Sequence, residues 1–399
     1  MGLQDTVSAE RVHIGFFGLR NAGKSSLVNA VTGQTLSVVS DVKGTTTDPV
    51  QKAMELLPLG PVVILDTPGL DDEGTLGEMR VQRAKQALSR TDIAVLVTDA
   101  TLPLSALDRD MIALFKDRGM PFFVARNKCD LLREREPIDG NTLYVSAVTG
   151  ENVNLLKEKL AAVAKTCKTD KPLVADLLQA GDMTVLVTPI DESAPKGRMI
   201  LPQQQTMRDL LDHHLPFVTC QPQQLCDIFN TLKAPPKLVV TDSQAFAAVS
   251  RDTPPDVLLT SFSILFARYK GSLPTLVQGA AKLSKLRNGD RVLISEGCTH
   301  HRQCGDIGTV KLPEWIRKFS GAEPAFSFTS GREFPEDLSG YALVVHCGGC
   351  MLNETEMQNR IRTAKQSGVP VVNYGIAIAQ MHGVLRRSLQ PFPDIEKLL

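Results

Sequence analysis

Short apolar runs alternate with longer amphipathic segments along the first 170 residues of the chain. Buried strands are predicted over residues 12–17, 61–66, 93–98, 121–126 and 142–145. Helices are predicted between them, one from about Lys24 and another over about 151–166. This alternation is typical of a parallel sheet covered by helices on both faces, so the predicted fold class is α/β. The polar segment 167–172 ends in proline and predicts a linker.

Two further units with the same alternation follow the linker. Strands are predicted over residues 183–189, 216–220, 237–241 and 256–260 in the first, and over 290–295, 325–329, 342–346 and 370–373 in the second. The second of these units opens with a predicted helix over 274–287. The pattern thus predicts three α/β domains, with bounds 8–168, 173–268 and 271–399. No repeat between them is recognised at the level of sequence.

Composition and charge narrow the functional class. Hydrophobic residues make up 43% and charged residues 22% of the 399, as in ordinary globular domains. Lys+Arg and Asp+Glu both total 44, which argues against a dedicated binder of nucleic acid or of acidic membranes. No apolar stretch approaches the ~20 residues of a membrane span, and the first residues do not resemble a signal segment, so a cytoplasmic location is expected. In that reducing compartment the eight cysteines are expected to be metal ligands or buried thiols.

A phosphate-binding loop lies between the first predicted strand and helix. The segment Gly18-Leu-Arg-Asn-Ala-Gly23-Lys24-Ser25 matches that pattern at every fixed position. Its glycines let backbone amides point at phosphate oxygens, and the helix that follows adds its positive N-terminal end. Lys24 is predicted to contact the β and γ phosphates and Ser25 to ligate Mg2+, with Ser26 beside it in the nucleotide site.

Three further motifs predict that the nucleotide is GTP or GDP. Asp66-Thr-Pro-Gly69 follows a strand, so that Asp66 is expected to hold Mg2+ through water and the Gly69 amide to sense the γ-phosphate. In Asn127-Lys128-Cys-Asp130 the last carboxylate can accept two protons that guanine offers and adenine does not. Ser146-Ala147 follows another strand, where a backbone amide is expected to meet guanine O6.

A threonine-rich segment between the loop and Asp66 is predicted to be a switch. In Gly44-Thr45-Thr46-Thr47-Asp48, Thr46 is the predicted second Mg2+ ligand and a catalytic candidate, with Thr45 as the alternative.

Taken together, these motifs resemble the translation-factor class of GTPases of the MnmE, Era and Der type, over residues 11–165. Leu70 stands where Ras-like proteins carry a water-orienting glutamine, and leucine cannot hydrogen-bond to water. Asn21 occupies the loop position that in potassium-activated members helps to bind K+ beside the phosphates, where a cation would stabilise developing charge. Glu78 resembles the glutamate that positions water in MnmE, although its register differs by one residue, and a solvated helix-face glutamate is the alternative.

Two ligand-type clusters lie near the end of the chain, each after an apolar run. Cys298-Thr299-His300 is followed, after 45 residues, by His346-Cys347-Gly-Gly-Cys350. Because each half follows a predicted strand, the strand ends can bring the two halves together. Thiolates are soft ligands suited to iron–sulfur clusters or to structural zinc, and the chemistry alone leaves both open.

The order and spacing of these features along the whole chain resemble the [FeFe]-hydrogenase maturation GTPases of the HydF family. The resemblance implies a [4Fe-4S] cluster held by Cys298, Cys347 and Cys350, with a fourth iron position held by a non-cysteine or exchangeable ligand. His300 and His346 are the candidates for that position. Cys304 and His301, near the first half-site, are expected to be loop residues, and the alternative is that either substitutes as a ligand.

The same resemblance implies a function for the whole chain. A scaffold or carrier would receive a transient diiron precursor, assembled with two radical-SAM maturases, and deliver it to apo-[FeFe]-hydrogenase. GTP hydrolysis would time partner exchange, and the middle domain would form a homodimer. The alternative is a GTPase of RNA modification or ribosome assembly with a C-terminal zinc module, against which the balanced charge argues.

Overall fold

The chain forms two compact units, residues 1–170 and 171–399. The computed structural model describes residues 8–34, 50–67, 69, 84–167, 171–190, 199–297, 306–331 and 333–399. No helix in these described ranges is long and apolar enough to cross a membrane.

The first unit is built on a six-stranded sheet of order β2-β3-β1-β4-β5-β6. Its strands are β1 Val12–Phe17, β2 Val50–Leu56, β3 Gly60–Asp66, β4 Ile93–Asp99, β5 Phe122–Asn127 and β6 Thr142–Tyr144. Its helices are α1 Lys24–Thr32, α2 Ala106–Asp117 and α3 Val153–Cys167. The five predicted strands are confirmed. The edge strand β2, which pairs antiparallel with β3, was not predicted.

The central position of β1 in the sheet explains its mostly apolar sequence. Every residue of this strand is buried, since β3 and β4 flank it and apolar side chains pack on both faces of the sheet. Such a strand reads as an uninterrupted apolar run, the signal on which the prediction rested. The carboxyl ends of β1, β3, β4 and β5 therefore lie along one edge of the sheet, and motifs described above lie at the ends of β1, β3 and β5.

The second unit contains two parallel four-stranded sheets. Their strands are β7 Thr184–Val187, β8 Phe217–Cys220, β9 Leu238–Thr241 and β10 Leu258–Ser261, then β11 Arg291–Ser295, β12 Ala325–Thr329, β13 Leu343–His346 and β14 Val371–Asn373. All eight predicted strands are confirmed. The helices are α4 Leu201–Asp212, α5 Leu225–Thr231, α6 Phe246–Asp252, α7 Phe262–Tyr269, α8 Leu273–Ala280, α9 Leu312–Ser320, α10 Glu354–Gln366, α11 Tyr374–Met381, α12 Leu385–Ser388 and α13 Pro393–Glu396.

One predicted helix is shorter than expected. The helix predicted over 274–287 ends at Ala280, and a separate single turn covers Leu283–Lys285. Leu283 is fully buried, so the bend after α8 places this side chain in the core.

The two sheets repeat the same topology. Their orders are β10-β9-β7-β8 and β12-β11-β13-β14, so in each sheet the first strand lies between the second and the third, with the fourth beyond the third. The third strands begin with the same residues, Leu-Val-Val, at 238–240 and 343–345. After each fourth strand a polar side chain caps the next helix, Ser261 at α7 and Asn373 at α11. The structure thus shows an internal repeat that the sequence did not reveal.

The two halves of this repeat exchange helices. Helix α8, which follows the first half, packs on β14 of the second, and α12, which follows the second half, packs on β10 of the first. Between them α7 and α11 meet closely, because a Cβ on Gly375 would lie 2.2 Å from the Cβ of Ser263. One hydrophobic core accordingly spans both sheets, and the compact unit continues across the predicted boundary at 268–271.

Candidate nucleotide and metal sites

Backbone geometry explains the glycines of the phosphate-binding loop. Gly18 has φ 150° and a Cβ there would lie 2.2 Å from the Val97 carbonyl oxygen, so only glycine fits between the loop and β4. Gly23 has φ 81° and caps α1, in which Lys24 is the first residue. A Cβ on Gly23 would lie 2.2 Å from Asn127 Nδ2. The loop is therefore pressed against the carboxyl edge of the sheet.

The predicted phosphate and magnesium residues converge at the start of α1. Lys24 Nζ forms a buried ion pair with Asp66 Oδ1, and these residues are 8% and 7% exposed. Ser25 Oγ donates to Asp66 Oδ2 at 3.3 Å. Ser26 follows in the first turn of α1 and is half-buried. The strand end of β3 and the first turn of α1 thus bring together one cation, one carboxylate and one hydroxyl, a set suited to phosphate and Mg2+.

Asn127 connects three segments of the nucleotide site. Its Nδ2 donates to the carbonyl oxygens of Ala22 at 3.0 Å and Gly23 at 3.4 Å, and its Oδ1 accepts from the Ala147 amide at 3.0 Å. This side chain is 2% exposed, so the bonds are shielded from water. In this structure the Ala147 amide is engaged with Asn127. The predicted contact of that amide with guanine O6 therefore requires it to share or leave this bond.

Lys128 is held by a residue that the motifs did not single out. It has φ 66°, in the left-handed region, and its Nζ lies 2.6 Å from Asp99 Oδ2 at the end of β4. Burial acts to raise the pKa of Asp99, but the hydrogen bonds from Lys128 and Thr101 outweigh it, so the pKa lies below its usual value. The carboxylate of Asp99 therefore stays charged at neutral pH and fixes the lysine.

The remaining nucleotide residues lie nearby along the same edge. Asp130 is exposed, as a residue that meets a ligand base must be. Ser146 is buried, and its Oγ accepts from the Thr149 amide at 3.1 Å. A Cβ on Gly69 would lie 3.1 Å from Arg20 Cα, which places Gly69 beside the loop. Thr46, Leu70 and Glu78 lie outside the described residues.

The second half of the cysteine motif lies at the carboxyl edge of the last sheet. Strands β11 and β13 are adjacent, with Ser295 opposite His346, and the Cys347 amide donates to the Ser295 carbonyl at 2.9 Å. The chain leaves this pair of strands in opposite directions, toward β12 on one side and β14 on the other. Such a switch point opens a crevice where ligands bind in α/β sheets. Cys298 follows β11 by three residues in sequence, but Cys298, His300, His301 and Cys304 lie outside the described residues.

The surroundings of the two described cysteines fit a thiolate-bound metal group. Cys347 Sγ accepts from the amides of Gly297 at 3.0 Å and Gly349 at 3.4 Å. Gly349 has φ 64°, which directs its amide back toward the sulfur at little steric cost. Burial raises the pKa of the Cys350 thiol, so a positive metal centre would be needed to hold it as a thiolate. Amide hydrogen bonds to sulfur are typical of iron–sulfur sites.

His346 is engaged in a way that does not favour the predicted ligand role. It is 1% exposed, its Nε2 lies 3.0 Å from Arg360 Nη1, and its Nδ1 lies 2.8 Å from the Cys347 carbonyl oxygen. Because a guanidinium only donates, Nε2 accepts and Nδ1 carries the proton that bonds the carbonyl. Burial and then the charge of Arg360 lower the pKa of His346 to about 3. Both ring nitrogens thus have hydrogen-bond partners. The histidine supports the turn of residues 347–352, the cysteine turn, through the Cys347 carbonyl.

Arg360 is the supporting residue that sequence reasoning missed. It is 3% exposed, donates to the Gly331 carbonyl at 2.7 Å and to Glu356 Oε1 at 2.6 Å, and lies over the Phe334 ring. A lone arginine within an amphipathic helix carries no signal of such a role.

Comparison with known families divides the chain into three parts. A family model described as "Hydrogen maturase F tetramerization domain" matches residues 274–391, and one described as "Hydrogen maturase F dimerization domain" matches 173–271. A third, described as "50S ribosome-binding GTPase", matches residues 13–128. The first two models divide the second compact unit between the two halves of its repeat.

Individual relatives match only the GTPase part. The tRNA modification GTPase MnmE of Xanthomonas euvesicatoria pv. vesicatoria is 40% identical over 154 residues, which are 38% of this chain and 34% of that protein. GTPase Der of Wolinella succinogenes is 35% identical over 168 residues, 38% of this chain and 36% of that protein. The chain thus spans about a third of the length of these relatives. A crystal structure of Aquifex aeolicus Era bound to GDP and AlF4− is 20% identical with a TM-score of 0.35, and covers 53% of this chain and 92% of that one.

These matches identify the first unit as a GTP-hydrolysing domain of the P-loop type, to which GTP or GDP and Mg2+ bind. They do not favour the alternative of an RNA-directed GTPase with a zinc module, because both halves of the second unit match hydrogen maturase models. The chain therefore belongs to the hydrogen maturase F family of hydrogenase-maturation GTPases.

Proposed function

We propose that this protein is a GTP-driven scaffold and carrier in the maturation of [FeFe]-hydrogenase. Its cargo would be a transient diiron precursor, received from radical-SAM maturases and delivered to apo-hydrogenase. The observation that carries the proposal is the Cys347 turn, where two backbone amides already bond a sulfur at the switch point of a parallel sheet.

Different residues of the first unit would bind the phosphates, Mg2+ and the guanine base of GTP. Lys24 would neutralise charge at the β and γ phosphates, Ser25 and Thr46 would ligate Mg2+, and Asp66 would hold that ion through water. Asp130 would select guanine, while Asn127 and the Asp99–Lys128 pair keep the base-binding loops in register. Asn21 has φ 62° and is exposed at the loop surface, a position from which its side chain would help to bind K+. Glu78 would position the attacking water.

In the second unit Cys298, Cys347 and Cys350 would hold a [4Fe-4S] cluster. With three cysteine ligands the cluster keeps one iron open to another ligand or to the precursor. The protein contributes the amides of Gly297 and Gly349, which bond Cys347 Sγ, and a neutral His346 that braces the turn. His300 remains a candidate for the fourth position, and His346 would have to release Arg360 from its Nε2 in order to take it.

Self-association would complete the scaffold. The descriptions of the two matching models indicate assembly through both halves of the second unit. Strand β8 ends the order of the first sheet, and Phe217, Val218 and Thr219 are half-buried or exposed, so the strand offers an edge to a second copy in a homodimer. Because one core spans both halves, the dimer is best tested on residues 171–399 rather than on 173–268.

The function is tested by anaerobic reconstitution followed by transfer. Purified protein should bind iron and sulfide, give an EPR signal on reduction, and activate apo-hydrogenase after exposure to the radical-SAM maturases. A colourless protein that takes up zinc but no iron–sulfur cluster would overturn the carrier role and leave the GTPase assignment standing.

A further inference from the structure

A buried lysine from the first half of the repeat reaches the cysteine turn of the second half. Lys270 caps the C-terminus of α7 and is 3% exposed. Its Nζ donates to the carbonyl oxygens of Cys350 at 3.2 Å and Leu352 at 3.0 Å, across 80 and 82 residues of chain. The amine also lies 5.6 Å from the centre of the Phe266 ring.

The backbone around this lysine is fixed to the same turn. Gln358 Nε2 donates to the carbonyls of Lys270 at 3.1 Å and of Gly271 at 2.8 Å. Gln358 lies on α10, which begins directly after the cysteine turn. Lys270 is thus held at its backbone by the helix that follows the turn, while its side chain holds the turn itself.

Lysine is rarely buried this completely. In a buried setting of low dielectric constant, the field of the ammonium is screened far less than it would be in water. A cluster bound by three thiolates is anionic, and it gains a further negative charge when it is reduced. An ammonium beside the Cys350 turn therefore stabilises the bound cluster, and the reduced form more than the oxidised form.

We propose that Lys270 is a positioning residue of the iron–sulfur site, which holds the Cys350–Leu352 turn and raises the reduction potential of the bound cluster. This inference rests on the proposed function. It assigns no ligand role to the lysine, because its amine hydrogens point at carbonyl oxygens. It also relates the helix exchange to the site, because a residue of the first half holds the cysteine turn of the second half.

The test compares Lys270→Met with wild type after reconstitution. Methionine keeps most of the length of the side chain and removes the charge. Iron and sulfide content, the EPR spectrum of the reduced cluster and its midpoint potential in an anaerobic redox titration are measured on the full chain. Lys365→Met, at an exposed position on α10, is the matched control, because its charge is screened by water.

The expected result is a midpoint potential that is lower in Lys270→Met than in wild type and nearly unchanged in Lys365→Met. An unshifted potential at full iron content would overturn the inference. If Lys270→Met takes up no iron, Lys270→Arg decides: uptake by the arginine variant supports a requirement for the charge, and no uptake overturns it. Wild-type protein that binds no iron–sulfur cluster would instead overturn the proposed function, so the two failures are distinguishable.

Discussion

Lys24 and Asp66 form a buried ion pair between the first turn of α1 and the end of β3. Each is assigned a part in nucleotide chemistry, the lysine at the phosphates and the carboxylate at Mg2+. The pair therefore keeps both side chains in place at the site, and either residue leaves a buried charge behind if the other is removed. Function and stability are coupled at this point of the fold.

Lys24→Ala should abolish most GTP turnover and destabilise the first unit. Loss of the cation leaves the Asp66 carboxylate buried without its ionic partner, at a cost of about 3 kcal/mol. GTPase rate and the free energy of unfolding measure the two effects. Lys52→Ala, at an exposed position of β2, is the control.

Lys24→Ala should still bind its cluster, because Cys347 and Cys350 lie in the other compact unit, yet it should activate hydrogenase poorly. Normal maturation by Lys24→Ala would show that the GTPase is not the timer.

GTP hydrolysis should be faster in KCl than in NaCl, through Asn21. Its φ of 62° is tolerated by asparagine and by glycine but strained for alanine. Asn21→Gly therefore removes the side chain and keeps the backbone conformation, and it should abolish the difference between the salts. Asn21→Ala should add a loss of stability. Equal wild-type rates in matched KCl and NaCl would remove the role of the cation.

Asp130→Asn should weaken GTP binding and improve the binding of xanthosine triphosphate. The carboxylate accepts two guanine protons, whereas an amide can donate to the oxygen that xanthine carries at C2. Loss of charged hydrogen bonds predicts a roughly 10- to 100-fold higher Kd for GTP. Because Asp130 is exposed, the fold should tolerate the change. Asp139→Asn, also exposed, is the control, and an unchanged Kd for GTP in Asp130→Asn contradicts the assignment.

The ion pair of Asp99 with Lys128 should make the stability of the first unit depend on pH. The pKa of Asp99 is lower in the folded state than its ordinary 3.8, so its contribution is present above that value and is lost as pH falls through the folded pKa. Asp99→Asn should cost about 1 kcal/mol at neutral pH and progressively less below about pH 4. Urea unfolding between pH 3 and 7 measures the difference, with exposed Asp110→Asn as control. A cost that does not change across this range would show that another interaction carries the effect.

Elements buried on both faces were predictable, and edges and symmetry were not. Strand β1 is an apolar run because it lies between β3 and β4 in the sheet, whereas β2, with Val-Gln-Lys-Ala-Met-Glu-Leu, lies at the edge, and of residues 51–56 only Leu56 is buried. The internal repeat escaped notice because only Leu-Val-Val is shared between β9 and β13. Equivalent strands in the two sheets need only be apolar, so burial preserves the pattern while the residues differ.

The ligand-facing residues were predictable from motifs, and the residues that hold them were not. Lys24, Asp66 and Asn127 occupy the fixed positions of motifs whose predicted ligands are phosphate, Mg2+ and guanine. The residues that hold the motifs in place come close only in the folded chain. Asp99 lies 29 residues from its partner Lys128, and Lys270 lies 80 residues from Cys350. The motif likewise does not reveal that Arg360 lies at the Nε2 of His346, a contact that does not favour the predicted ligand role of this histidine.

Serine at Cys298, Cys347 or Cys350 should each cause the loss of most bound iron and sulfide, since serine is a harder and more basic ligand than thiolate. Cys347→Ser should also disturb the turn, because the amides of Gly297 and Gly349 bond its sulfur. Cys226→Ser changes an exposed thiol of the same unit and should keep full iron content. Iron, sulfide and the EPR signal of each variant are compared at equal protein concentration. Cys304→Ser decides the ligand set: if it loses as much iron as the others while one of the three assigned cysteines proves dispensable, Cys304 is a ligand and that cysteine is not.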